Sequence, residues 1–299
     1  MTEAVLTLAD LQSWARPGTA LAVVGHPVAH SLSPRMHNAA LAELASGDAR
    51  YKDWRYFRFD VAPDDLPRAL GLLHARRFQG VNLTLPHKII AHDCVAEVDP
   101  AARPTGAVNT LSRSRDGWRG FNTDGYGLSA ALRQALGWEL AGAKVILLGA
   151  GGAARGAAVE CLQRGCAGLW IANRTRANLD SLLAVLAPLA GSIPVRGHHS
   201  GSDLPEGALV INATSAGLND KDPAPFDLSI LRKPAGVFDM IYNPPRTRLL
   251  RQAEALRLPC ANGLAMLVHQ GAKSLEIWTG VAADRTAPIM MAAVSRCPQ

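Results

Sequence analysis

Six side chains in the first half of the chain offer the clearest chemistry. Ser31 and Ser33 lie in Gly25-His26-Pro27-Val28-Ala29-His30-Ser31-Leu32-Ser33-Pro34, and Thr84 and Lys88 in Asn82-Leu83-Thr84-Leu85-Pro86-His87-Lys88. Asn109 follows in Gly106-Ala107-Val108-Asn109-Thr110, and Asp124 in Asn122-Thr123-Asp124-Gly125. Singly, each has an equally good structural use. Ser33 can cap the helix after Pro34, Lys88 can be a solvated helix-start cation, Asn109 can satisfy a turn, and Asp124 can cap the helix at Tyr126. Jointly they place hydroxyls, an amide, an ammonium and a carboxylate after successive strands, where open α/β sheets bind ligands. Capping does not require that convergence, and the donor set suits a polyhydroxylated carboxylate.

A second constellation sits in the middle of the chain. The apolar strand Lys144 to Leu148 runs into Gly149-Ala150-Gly151-Gly152-Ala153-Ala154 and then into the helical pattern of Ala157, Ala158, Val159 and Leu162. This is G-x-G-x-x-A, the small-residue turn that brings a pyrophosphate onto backbone N–H groups at a positive helix end. A second strand, Leu169 to Ala172, follows at the expected distance. Where an NAD site usually places a carboxylate for the ribose 2′-hydroxyl, this chain reads Asn173-Arg174-Thr175-Arg176. A carboxylate would repel a 2′-phosphate, whereas a guanidinium grips it with paired bonds, so the cofactor expected is NADP(H).

These residues need a scaffold of alternating strands and helices. The first part predicts strands at Ala20 to Gly25, Tyr56 to Val61 and Gly80 to Leu85, with helices after Pro34 and from Leu66 to Leu73. Asp99-Pro100 reads as the start of a short helix, and Ala107 to Arg113 with Trp118 to Phe121 as a hairpin across Asp116-Gly117. The second part predicts a helix from Tyr126 to Leu136, then strands at 144–148, 169–172, 193–196, 209–212 and 237–240. A long helix after Gly263 and a last segment from Pro288 to Val294 follow. The fold class expected is α/β in two domains: a mostly parallel substrate domain, and a Rossmann-type dinucleotide domain with the chemistry in the cleft between.

Composition narrows the class. In 299 residues, 48% apolar and 19% charged content describe a compact globular protein, and no apolar run reaches the ~18 residues of a membrane span. Met1-Thr2-Glu3-Ala4 lacks the basic and apolar regions of a signal peptide, so a cytoplasmic protein is expected. The charge of +6 is spread along the chain and aromatics are only 5%, which fits an anionic small molecule better than nucleic acid. Five scattered cysteines (94, 161, 166, 260, 297) show no metal-ligand spacing, and His26, His30, His37 and His87 match no ligand pattern, so no metal is expected.

Taken in order, eight segments resemble those of the shikimate dehydrogenase family. They are 25–38 (G-x-P-x-x-H-S-L-S-P-x-x-H-N), 82–88, 106–111, 120–125, 149–154, 173–175, 212–217 (Asn212-Ala213-Thr214-Ser215-Ala216-Gly217) and 263–270. The resemblance implies NADPH-dependent reduction of 3-dehydroshikimate to shikimate in aromatic amino-acid biosynthesis. By motif it implies that Ser31, Ser33, Thr84, Lys88, Asn109, Asp124, Tyr242 and Gln270 contact substrate. It likewise implies that Gly149, Ala150, Gly151, Gly152, Ala153, Asn173, Arg174, Thr175, Arg176, Thr214, Met240 and Gly263 line the cofactor. It implies too that the chain returns to its first domain, giving a substrate domain of 1–123 completed by 263–299 around a Rossmann domain of 124–262. A small-molecule substrate is then the expected partner, with a homodimer allowed for.

The chain departs from the family at Asn178, where a second arginine is common, while an arginine comes early at Arg176. The first seventeen residues precede the family pattern and suggest only an amphipathic start. Reducing a ketone needs hydride at carbon and a proton at oxygen. A lysine near pKa ~10.4 becomes a usable donor when burial and a nearby carboxylate tune it, which makes Lys88 and Asp124 the catalytic pair. Two readings compete with a strict shikimate enzyme: a broader quinate/shikimate dehydrogenase, and a catalytically idle NADP-binding regulator. The second should have lost the lysine or the aspartate, and both remain.

Overall fold

The computed structural model describes residues 4–198, 204–219 and 221–295; Cys297, counted above, lies outside them. The chain divides into two compact units, Met1–Thr123 with Val268–Gln299, and Asp124–Leu267.

The first unit holds strands β1 (Thr19–Gly25), β2 (Trp54–Asp60), β3 (Gly80–Leu83), β4 (Glu97–Val98), β5 (Thr110–Arg113) and β6 (Trp118–Phe121) in the order β2-β1-β3-β5-β6-β4. Its helices are α1 (Leu8–Gln12), α2 (Ser33–Gly47), α3 (Leu66–Ala75) and α4 (His87–His92). β1 pairs in parallel with β2 and β3, as alternating strands and helices require, whereas β5 and β6 add antiparallel as a hairpin. The helix expected at Asp99-Pro100 is instead a turn, in which the Asp99 carboxylate accepts the Ala101 N–H at 3.1 Å. A single 3₁₀ turn follows at Arg103–Thr105, and Gly106 at φ 59° ends it by entering the left-handed region.

The second unit carries β7 (Lys144–Leu148), β8 (Gly168–Ala172), β9 (Val195–His198), β10 (Leu209–Asn212), β11 (Gly236–Asp239) and β12 (Cys260–Ala261), all parallel, in the order β12-β11-β10-β7-β8-β9. Counted from β7, this is the 3-2-1-4-5-6 order of doubly wound dinucleotide folds, with the reversal of direction between β10 and β7. The helices are α5 (Asp124–Leu136), α6 (Gly152–Gln163), α7 (Arg176–Leu186) and α8 (Arg248–Ala255). β9 begins two residues later than the spacing suggests, because Pro194 has no N–H to give a ladder. The chain ends with α9 (Leu264–Thr279) and α10 (Ala283–Ser295). The division falls at Val268 within α9, five residues past the glycine at which the return was expected.

Residues 5–17 are more than an amphipathic start. Leu6 donates its N–H to the Arg58 carbonyl (3.0 Å) and accepts from Asp60 (2.8 Å), extending the sheet beyond β2. Leu11 and Trp14 enter the core of the first unit, where the Trp14 ring meets Phe57 edge-on at 4.9 Å and Phe78 at 4.9 Å. From α9, Gly271 lies so close to α2 that a Cβ would stand 2.3 Å from the Met36 Cε. Beside it, the buried His37 stacks on Tyr56 at 4.1 Å and donates Nδ1–H to the Ser33 carbonyl at 2.9 Å.

Two predictions follow from this packing. Trp14→Ala should cost about 3–5 kcal/mol of unfolding free energy in urea titration, since it empties an aromatic site; a loss under ~1 kcal/mol would mean that the segment is not docked. Burial pushes His37 down to about 4 from the ordinary value of 6.5. The neutral ring therefore contributes stability that is present above pH 6.5 and lost as pH falls through 6.5 towards 4. Over that window the wild type should lose ~1.4 kcal/mol per pH unit more than His37→Gln. Parallel curves would show that the imidazole is not excluded from water.

Candidate active site

The first unit gathers its polar candidates at one end of the sheet. Parallel β1 and β3 both end there, with Val24 opposite Leu83. Because β5 runs antiparallel to β3, its start lies at the same end, and the Leu83 N–H donates to the Asn109 carbonyl at 2.8 Å. β6 ends there too, its Phe121 carbonyl accepting the Asn109 N–H at 2.9 Å. The loop after β1 therefore faces the segment after β3, and the His26 N–H bonds the Leu85 carbonyl at 3.1 Å. Gly25 permits that approach, since a Cβ there would lie 2.4 Å from the Thr84 Cγ2.

Ser31 Oγ accepts the Ser33 N–H at 3.3 Å, and Ser33 is buried at the first turn of α2. Lys88, half-buried, sits in the first turn of the short α4, the helix that the sequence allowed as its structural use. Its carbonyl accepts the Val108 N–H at 2.9 Å, locking the lysine segment to the strand that presents Asn109. Asn109 is almost wholly buried. Its Nδ2 donates to Thr123 Oγ1 (3.0 Å) and towards Gln270 Oε1 (3.4 Å), and its Oδ1 accepts the Thr123 N–H (2.9 Å). Ser31, Ser33, Thr84, Lys88, Asn109 and Gln270 thus belong to one unit, while Asp124 and Tyr242 belong to the other.

Several residues to which the sequence alone assigned no such role hold this arrangement. Asn82 shares its amide hydrogens among the Asn109 carbonyl (3.1 Å), Thr110 Oγ1 (3.0 Å) and Ser274 Oγ (2.9 Å), and accepts from the Tyr56 hydroxyl at 2.8 Å. Tyr56 also meets the Ser33 hydroxyl. Arg58 and Asp60, two apart on β2 and so on one face, grip the serine loop from one side. Asp60 takes His26 Nδ1 at 2.6 Å and the Val28 N–H at 3.3 Å, and Arg58 donates to the Ala29 carbonyl. The charged-aromatic alternation Arg55-Tyr56-Phe57-Arg58-Phe59-Asp60 was the available signal. Three of the four histidines bond within the protein: His26 to Asp60, His37 to the Ser33 carbonyl, and His87 to the Val61 carbonyl at 2.9 Å. Burial lowers the His87 pKa, so beside Lys88 it is a neutral donor to backbone.

In the second unit, β7 ends at a turn suited to phosphate. Gly149 at φ 112° donates its N–H to the Ala172 carbonyl at 2.8 Å, and a Cβ there would press within 3.2 Å of the Ala213 carbonyl. Gly151, Gly152 and Ala153 are exposed, and α6 starts with no side chain capping its N–H groups. Uncapped donors at the positive end of a three-turn helix, with no Cβ in the approach, fit a pyrophosphate. Ala150 lies between Gly149 and Gly151, partly buried. Asn173 Nδ2 donates to the Thr175 carbonyl at 2.7 Å, shaping the turn that exposes Arg174 and Thr175. Arg176 starts α7, where its Nε lies 3.4 Å from the Asp180 carboxylate.

Beyond the carboxyl ends of β10 and β11 come Thr214 and Met240. Asn212 Oδ1 accepts from both the N–H (3.0 Å) and Oγ1 (2.8 Å) of Thr214, and the Asn212 carbonyl takes the Met240 N–H at 3.0 Å. Gly263 packs on that segment so closely that a Cβ would stand 2.0 Å from the Met240 carbonyl oxygen. Burial raises the Tyr242 pKa, keeping its hydroxyl protonated.

Known proteins match this chain along most of its length. A model of the shikimate dehydrogenase substrate binding domain matches residues 23–111, and one of the shikimate 5′-dehydrogenase C-terminal domain matches 263–294. The shikimate dehydrogenase (NADP⁺) of Symbiobacterium thermophilum is 41% identical over 271 residues, covering 88% of this chain and 90% of its own. Among solved structures, Thermus thermophilus shikimate 5-dehydrogenase in complex with NADP(H) and shikimate superposes with a TM-score of 0.78 at 35% identity, covering 92% of this chain and 100% of its own. The 5-ketofructose reductase of a Gluconobacter strain superposes at 0.82 and 33% identity, covering 94% and 99%. At 41% identity over nine-tenths of a relative's length, this chain belongs to the shikimate dehydrogenase family.

Proposed function

We propose that this chain catalyses the reversible NADPH-dependent reduction of 3-dehydroshikimate to shikimate, in the cytoplasm, as a step of aromatic amino-acid biosynthesis. The observation that carries the reading is the chemistry of the first unit's sheet end. It joins neutral hydroxyls and amides with a single ammonium, which is what a small ring bearing a carboxylate, hydroxyls and one reducible carbonyl demands.

Ser31 and Ser33 hold the carboxylate with neutral donors, and Thr84, Asn109 and Gln270 take ring hydroxyls. Such donors read shape without burying a second charge. Gly149, Ala150, Gly151, Gly152 and Ala153 cradle the cofactor's pyrophosphate, and Arg174 with Asn173, Thr175 and Arg176 receives its 2′-phosphate. Thr214, Met240 and Gly263 border the nicotinamide end. NADPH, when bound, supplies the hydride that reaches the carbonyl carbon. Lys88 gives a proton to the carbonyl oxygen in reduction and takes it back from the alcohol in oxidation, and Asp124 keeps the ammonium oriented and accepts from a neighbouring hydroxyl. Tyr242, held neutral, offers its hydroxyl as a hydrogen-bonding contact to the substrate.

The likeness to a 5-ketofructose reductase favours a second reading, in which the same machinery accepts other polyhydroxylated ketones. Absorbance at the reduced-nicotinamide band separates the two. Shikimate with NADP⁺ should give a kcat/KM at least ~10²-fold above quinate and, in the reverse direction, 3-dehydroshikimate should exceed 5-ketofructose similarly. Near-equal values would favour the broader enzyme, and no turnover with any of them would sink both. Lys88→Ala should lower kcat by ~10²–10⁴ with little change in KM. A large rise in KM at intact kcat would make Lys88 a binding group only.

A further inference from the structure

We propose that Asp239 is a positioning residue: its buried carboxylate sets the turn carrying Thr214 and the segment carrying Met240 and Tyr242 in a single arrangement. The inference rests on the reading of those three residues as lining the site.

Asp239 closes β11 and is fully buried. Its Oδ1 accepts from Asn212 Nδ2 (2.9 Å) and from the Ile241 N–H (3.0 Å), and its Oδ2 accepts from Thr247 Oγ1 (2.6 Å). Thr247 then accepts the Leu250 N–H at 3.3 Å at the start of α8. One side chain thereby reaches the turn after β10, the segment after β11 and the origin of α8.

Among the described residues its partners are all neutral, so donors alone stabilise the carboxylate. Burial accordingly drives its pKa up, in spite of three bonds that favour the ionised form. For stability an asparagine of the same shape would serve as well or better, because a buried charge without a cation is costly. What the carboxylate adds is direction. It has acceptors only, so the Asn212 amide must turn Nδ2 towards it and Oδ1 away. That Oδ1 is the atom which takes both the N–H and the hydroxyl of Thr214. With the Thr214 hydroxyl hydrogen committed inward, its lone pairs are left for other donors, and one accepts the Ala216 N–H at 3.1 Å. An asparagine at 239 has one acceptor atom for the Asn212 amide, the Ile241 N–H and the Thr247 hydroxyl together, so it serves either the first two or the third. Where it serves Thr247, the Asn212 amide turns and the Thr214 turn takes a second arrangement.

The test measures Asp239→Asn, Asn212→Ser and Thr214→Ala in the full-length protein. The readouts are melting temperature at pH 7.5, NADP⁺ dissociation constant by fluorescence titration, and steady-state KM for shikimate. Asp239→Asn should melt at or above the wild-type temperature while NADP⁺ affinity falls roughly 5–50-fold and shikimate KM rises, the size expected of coupling through one polar network. Asn212→Ser should lose similar NADP⁺ affinity, and it carries the test alone if Asp239→Asn does not fold. A measurable loss of NADP⁺ affinity in Thr214→Ala, with values within twofold of wild type in a folded Asp239→Asn and in Asn212→Ser, would overturn the inference. No loss in Thr214→Ala would overturn the reading of the cofactor site itself, and the inference with it.

Discussion

The hydrogen bond from the Leu83 N–H to the Asn109 carbonyl marks the constraint on which the first unit depends. Strands that run in opposite directions share an end only where one finishes as the other begins. The switch from parallel pairing at β1–β3 to antiparallel pairing at β3–β5 supplies that condition. It delivers two strand ends, one strand start and the close of a hairpin to a single edge. Residues separated by more than seventy positions in sequence, such as Ser33 and Asn109, come to line one surface without any loop having to travel far.

Polar side chains then make that edge rigid. A buried amide left unpaired costs about 1–3 kcal/mol, and the cluster of Asn82, Asn109, Thr110, Thr123 and Ser274 avoids this by bonding its members to one another. Such a network specifies geometry better than an apolar core does, because each donor has a direction. The same economy appears beside β10 and β11, where Asn212 and Asp239 face each other at 2.9 Å. Both units therefore set a buried asparagine directly behind the residues proposed to meet a ligand.

How much of this could be read from the residues depended on how local the cause was. The glycine turn at 149–154 announces itself, since the need for φ above zero and close approach falls on particular positions flanked by a strand and a helix. The serine loop and the lysine segment were legible for a similar reason, their proline and hydroxyl residues clustering just past apolar runs. Asp239 was not, because one carboxylate at the end of Gly236-Val237-Phe238 looks like any strand terminus until Asn212 and Thr247 are brought to it. Trp14 was hidden likewise, as its partners Phe57 and Phe78 lie far along the chain. At Asp99-Pro100 a good capping pair was visible, but the left-handed Gly106 a few residues on leaves no room for an α-helix.

The interruption of the first unit by the second bears on how the protein is made. Ser274 completes the amide cluster, and Trp278 fills the space above Gly80, where a Cβ would meet its ring at 2.1 Å. Both lie beyond Val268, in the part of the chain that rejoins the first unit. Domains tend to fold as they leave the ribosome, the earliest first. Here that order is reversed: the inserted nucleotide-type unit is translated whole while the unit begun before it still lacks its closing helices. Until the segment beyond Val268 has emerged, the nascent first unit exposes an unfinished seam, and that interval is when it would most need a chaperone.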